Sequence, residues 1–193
     1  MSLTNRLGDV EITDPRTMRA LSHPVRLAIL SRLQRHGPAT ATQLSPHVEA
    51  TPSVTSWHLR HLAQFGLITE ADSPDHRQRY WQAVSRGFRF EMPDDPVGRA
   101  AGHQLREAMH AANLQQIVTW SQQAAPYLDA TWDRVAGASN TGVDVTATEA
   151  ADIINQIEEI LVPYVNRADR DLPAGARPMR FLRYYMPAVE DVD

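Results

Sequence analysis

Thr51-Pro-Ser-Val-Thr-Ser-Trp-His-Leu-Arg-His-Leu62 is the stretch on which the fold turns. A threonine before a proline reads as an N-cap with proline at the first helical position, where its missing N–H and fixed φ suit the helix start. Gly66 supplies the stop, since a glycine readily takes the left-handed conformation that closes a helix. A helix over residues 51–65 is therefore predicted. On a wheel of about 100° per residue with Thr55 at the origin, Leu59 and Leu62 fall within about 40° of it and define the buried stripe. Ser53, Trp57 and Arg60 lie about 140° to 200° away, Ser56 at about 100°, and His61 on the flank. Hydroxyls, an indole and a guanidinium facing outward can bond base edges and phosphates or contact thymine methyls, as a helix in a DNA major groove must. The plain alternative is a solvated helix face that carries one arginine.

Working outward, residues 39–48 hold a short helix around Gln43 and Leu44, and the tight turn between it and the capped helix makes a helix-turn-helix. Upstream, Ser22-His23-Pro24 reads as another helix start. Val25, Ala28, Ile29 and Leu33 follow at spacings of three and four, one face of a helix that ends near Gly37-Pro38. Met18 and Leu21 open this apolar pattern behind a polar arm. Downstream, residues 67–70 and 79–84 are rich in β-formers and flank a polar stretch, which predicts a hairpin with a long tip. Arg77 and Arg79 share one side of a strand, because side chains alternate, and such a wing can lie along DNA phosphates. Asp72 and Asp75 repel the same phosphates unless they pair with those arginines.

The segment Ala20-Leu-Ser-His-Pro-Val-Arg-Leu-Ala-Ile-Leu30, the capped helix of residues 51–62 and Gly66-Leu-Ile, followed by the arginine-bearing hairpin, resemble an ArsR-type winged helix-turn-helix repressor over roughly residues 15–90. The family's recognition-helix pattern falls here on Thr51 or Ser53, Ser56, His58 and Leu59. By that resemblance, Thr51 and His58 join Ser53, Ser56, Trp57, Arg60, His61, Arg77 and Arg79 as candidate DNA-binding residues. Where the family's thiolate sensor motif belongs, around residues 42–48, this chain has only His47 as a candidate ligand, so soft-metal sensing is not expected. The portion containing Arg177-Pro-Met-Arg-Phe-Leu-Arg183 resembles longer ArsR-like members that append an α/β extension.

Met92-Pro-Asp-Asp-Pro96 is a proline-bounded break, after which residues 97–125 read as one long helix ended by Pro126. Ala101, Leu105, Met109, Ala112, Leu114, Ile117 and Val118 form its apolar stripe, and its small residues permit close approach of a second helix. This is the expected dimerisation element. Thr146 with Glu149 three residues on makes a capping box before an amphipathic helix carrying Ile153, Ile157, Leu161 and Val165. One strand is expected within residues 132–145 and another over residues 179–186. The fold expected is mainly α with small β content. A winged helix-turn-helix domain covers residues 15–90; the dimerisation helix and a small α/β C-terminal extension cover residues 96–193.

With 193 residues, 42% hydrophobic and 22% charged, the chain is of ordinary globular composition and long enough to bury a core. The absence of cysteine excludes disulfides, thiolate metal sites and cysteine nucleophiles together. The net charge of -4 divides unevenly: residues 1–90 carry eleven arginines against seven acids, the remainder eight against sixteen. Such asymmetry suggests a polyanion-facing part joined to one that faces elsewhere. All cations are arginine, the better fork for phosphate and guanine. The first fourteen residues do not read as a secretory signal and no apolar run is long enough to span a bilayer, so a cytoplasmic protein without membrane contact is expected.

No metalloprotease motif, nucleophile elbow or glycine-rich phosphate loop is present, so no enzyme and no cofactor are expected. His103, Glu107 and His110 share a helix face as weak metal candidates, more simply read as a solvated face. Trp120, Tyr127, Trp132, Tyr164, Phe181, Tyr184 and Tyr185 are candidates to line a pocket for a small-molecule effector, though such residues more often form core. The function predicted is a homodimeric repressor that binds double-stranded DNA at an operator with two half-sites. The alternatives are a protein-interaction winged-helix module, or a metal- or small-molecule-gated repressor.

Overall fold

The computed structural model describes residues 5–72, 78–165, 167 and 171–188. After a short strand β1 (Val10–Ile12), helix α1 (Pro15–Leu21) starts at Asp14, whose carboxylate accepts from the Arg16 N–H. Helix α2 (Pro24–His36) starts at His23, whose Nδ1 accepts from the Val25 N–H at 3.2 Å. It ends at Gly37, at a φ of 77° that only glycine adopts freely. A short helix α3 (Ala41–Leu44) is held by a full capping box: the Gln43 N–H donates to Thr40 Oγ1, and the Thr40 N–H donates back to Gln43 Oε1. A 3-10 turn (Ser45–His47) leads to α4 (Pro52–Gln64), which is capped by Thr51 and stopped before Gly66. These boundaries agree closely with those read from the sequence, because each is set by a local cap or stop.

Strands β2 (Ile68–Ala71) and β3 (Tyr80–Ala83) pair antiparallel, Ile68 opposite Ala83 and Ala71 opposite Tyr80. Ala39 and Trp81 exchange both backbone hydrogen bonds at 3.0 Å, so the chain entering α3 is stitched to the wing. Strand β4 (Phe88–Phe90) then runs parallel to β1, with Val10 opposite Phe88 and Ile12 opposite Phe90. The arm expected to be merely polar is therefore partly strand. Three residues are too few for a readable alternation, and the partner lies far along the chain.

One core joins these elements. Met18, Leu21, Ile29, Leu44, Leu59, Leu62 and Leu105 are fully buried, from helices α1 to α4 and from the next helix, α5 (Pro96–Gln123). Asp95 caps α5, accepting from the Gly98 N–H at 2.8 Å. A Cβ at Gly98 would come within 2.5 Å of Pro93 and one at Gly102 within 2.7 Å of Met92, so both glycines admit the turn that folds over the helix start. Helix α5 packs on α1, and Ala101 and Leu105 in its near half are buried. Beyond it come a 3-10 turn (Ala125–Tyr127), α6 (Ala130–Asp133) and α7 (Ala147–Val165).

The architecture is mainly α with small β content, and all the strands of the described residues lie before residue 91. The two strands expected further on are corrected. Residues 130–133 are helical, the following stretch to residue 145 is irregular, and residues 179–186 run without a paired neighbour. β-forming side chains make a strand only where a partner edge accepts the backbone hydrogen bonds, and among the described residues none runs beside these segments. Among the described residues no helix is long and apolar enough to cross a membrane.

Candidate nucleic-acid interface

Helix α4 turns its apolar side to α2 and its polar side outward. Thr55, His58, Leu59 and Leu62 are buried, while Ser53, Trp57 and Arg60 are exposed. Thr51 is exposed too, but its hydroxyl is engaged at the helix start, accepting from the Val54 N–H at 3.4 Å. Trp57 keeps 53% of its surface exposed and is held by neighbours rather than hanging free. His61, half-buried, stacks on it with ring centroids 5.5 Å apart and planes 13° from parallel, and Phe65 meets His61 edge-on at 5.2 Å. A tryptophan fixed in this way loses little freedom on meeting a surface, which favours binding. Ser56 is half-buried and accepts from Arg60 Nη1 at 3.0 Å.

Two placements differ from the sequence reading. His58 is not on the outward face: it is 4% exposed, with its ring 4.7 Å from that of His23 and 4.8 Å from that of Trp57. At about 300° on the wheel it sits beside Leu62 on the buried side, so it seats α4 on the start of α2. Burial lowers its pKa, and the neighbouring His23, Arg26 and His61 lower it further, which keeps the ring neutral. Val54, by contrast, was passed over, yet it is 45% exposed beside Ser53. On the wheel it falls at about 260°, between half-buried His61 and buried His58, so the wheel does not find it and its exposure comes from its place in the first turn. Its methyls are the kind of group that meets a thymine methyl.

Across from α4, Arg79 is exposed at the start of β3. It pairs with Glu70 at 3.1 Å and lies over the Trp81 ring at 5.7 Å. Arg77 lies outside the described residues, as does the hairpin tip from residue 73 onward. His103, Glu107 and His110 are all exposed along α5, and among the described residues no three histidines or acids converge as a metal site. The His110 ring instead lies 5.6 Å from Tyr184. Of the aromatics proposed to line a pocket, Trp120, Tyr127, Tyr164, Phe181, Tyr184 and Tyr185 are exposed rather than gathered around a cavity.

Residues 21–71 match a family model described as a helix-turn-helix domain. An uncharacterized HTH-type transcriptional regulator, YwhA of Bacillus subtilis (strain 168), is 29% identical over 117 residues, covering 61% of this chain and 73% of that protein. Among solved structures, a MepR-like protein complexed with pseudoligands shares 17% identity over 76% of this chain and 82% of its own, with a TM-score of 0.33. ZitR of Lactococcus lactis, described as a zinc-responsive MarR family member, shares 14% identity over 85% and 84%, with a TM-score of 0.28. The family named among these structures is MarR, and this corrects the ArsR-type expectation. The capped helix and the wing that carried that resemblance are built alike in both kinds of winged-helix regulator, so they could not separate the two. YwhA is described as a transcriptional regulator and not as an enzyme. What this chain carries is a winged helix-turn-helix unit whose helix α4 presents an exposed, polar face.

Proposed function

We propose that the protein is a sequence-specific, DNA-binding transcriptional regulator that acts in the cytoplasm as a homodimeric repressor. The observation that carries this reading is the outward face of α4, where Ser53, Val54, Trp57 and Arg60 stand exposed beside a wing stitched to the same unit. A helix of this build lies in the major groove with its N-terminal residues at base edges, while the wing follows the backbone. The description of YwhA as a transcriptional regulator supports the same reading.

One such helix covers only a few base pairs, so specific affinity calls for two of them about 34 Å apart on one face of the duplex. The far half of α5 is suited to pair two copies. Its stripe continues through Leu114, Ile117 and Val118, all exposed in the single chain. Selection of bound fragments from a pool of random duplexes tests the proposal. A recovered inverted repeat with half-sites one helical turn apart is the expected result. A protein that retains no duplex even at low salt is instead a protein-interaction module.

A further inference from the structure

A cleft of about 310 Å3 opens between the recognition helix and the wing. Ser56 and Arg60 of α4 line one side, Gln78, Arg79 and Trp81 the other, and Thr42 of α3 the end. Every polar group among these can donate a hydrogen bond, and among the described residues no carboxylate lines the space. Glu70, which pairs with Arg79, stands outside the lining.

We infer that this cleft is a seat for one phosphodiester of the DNA backbone, gripped by Arg60 and Arg79 together. The inference rests on the DNA-binding reading above. Arg60 does not project as a base-reading fork would: its bond to Ser56, one turn back, lays the guanidinium along the helix and into the cleft. Arg79 reaches the same space from the wing, steadied by Glu70 and the Trp81 ring. Glu70 offsets part of the Arg79 charge, and an anion in the cleft relieves the repulsion that remains between the two guanidiniums lining it. A phosphate has the charge and the several acceptor oxygens to take both forks, with the Thr42 hydroxyl and the Gln78 amide as further donors. A base edge offers neutral acceptors to one fork only and gives the other no acceptor within the cleft. Arg60 therefore fixes the register of the helix on the duplex, and reading the sequence falls to Ser53, Val54 and Trp57.

The test is binding of the selected duplex, and of copies with single base-pair changes, followed by fluorescence anisotropy from about 50 to 200 mM salt. Wild type is compared with Arg60→Ala, Arg79→Ala and the double variant. Both single variants are expected to bind every sequence several-fold more weakly with their base preferences intact. The double variant is expected to lose about one unit of salt slope, the signature of one phosphate. Loss of preference at one base pair in Arg60→Ala makes that residue a base reader and overturns the inference while DNA binding stands. A slope in the double variant that is unchanged, or lower by about two, overturns it as well. Wild-type protein with no salt-dependent affinity for any duplex removes the DNA-binding reading and this inference with it.

Discussion

The chain up to about residue 109 and the chain beyond it use the same kind of apolar stripe in opposite ways. In the first region Leu59, Leu62 and Leu105 are fully buried by other parts of the same chain. In the second, Leu114 is 62% and Ile117 43% exposed, and among the described residues α7 packs extensively on no other helix or strand. Contiguous apolar surface of this kind is uncommon on a free monomer. The first region is a closed core; the second leaves its stripe open, and it is this surface that the proposed homodimer would cover.

The largest test of that contrast is a pair of truncations. Leu59→Ala is expected to cost about 2 to 5 kcal/mol in urea unfolding, since it empties space under the recognition helix that the packed neighbours refill only partly. Ile117→Ala in dilute protein is expected to change stability by less than about 0.5 kcal/mol, because in the isolated chain it removes little buried contact. Equal losses would break the distinction between the two regions.

Next in size is self-association. Placing Asp at both Leu114 and Ile117 introduces like charges where the proposed dimer would close, and is expected to weaken self-association at least tenfold in sedimentation equilibrium. Wild-type protein should then show a melting temperature that rises with concentration, and the double variant one that does not. A wild-type melting temperature independent of concentration would leave the exposed stripe of α5 without its assigned partner.

The same contrast governs how much of the molecule was legible in its sequence. Thr51, Pro52, Gly37 and Gly66 act on their immediate neighbours, so the helices of the first region and their ends could be read directly. The pairing of β1 with β4 could not, because Val10 and Phe88 become partners only when the chain has folded. The recognition face was legible from the wheel, which also contained the correct side for His58; the family pattern led away from it. The segments after residue 130 were misread as strands because aromatic and branched side chains signal a pleated surface without supplying the edge that completes one. The direction of Arg60 was beyond reach, since it depends on a hydrogen bond to Ser56 and on a wing distant in sequence.

A third test concerns His58, which belongs wholly to the closed region. Its pKa in the folded chain lies below the usual imidazole value, through burial first and then the charges of His23, Arg26 and His61. On acidification the unfolded chain therefore takes up the proton before the folded one does. Stability from this group is complete above about pH 6.5 and is lost as pH falls from there through the folded pKa. The slope is at most about 1.4 kcal/mol per pH unit for each proton involved. His58→Leu keeps an apolar contact and removes the proton site, so its unfolding free energy is expected to fall less steeply between about pH 7 and 5. A residual slope is expected from His23 and His61, whose pKa values are lowered too. Parallel slopes in wild type and variant would mean that His58 is wetter than its burial implies.

The smallest effect comes from the threonine caps of α4 and α7, and it separates the regions most finely. Thr51 caps a helix whose inner face is core, so Thr51→Ala is expected to lower global stability by about 1 kcal/mol. Thr146 opens α7 with a reciprocal box: the Glu149 N–H donates to its hydroxyl at 3.2 Å, and its own N–H donates to the Glu149 carboxylate at 2.8 Å. That box is the better formed of the two, yet Thr146→Ala is expected to leave global unfolding of dilute protein almost unchanged. The helix it starts is not packed extensively against the core, so its loss appears as faster amide exchange confined to residues 147–165. At concentrations where two copies associate, the same substitution should begin to register in the melting temperature if α7 helps to cover the partner's α5. Exchange in α7 that slows with protein concentration in wild type, and less so in Thr146→Ala, would place this helix inside the dimer rather than beside it.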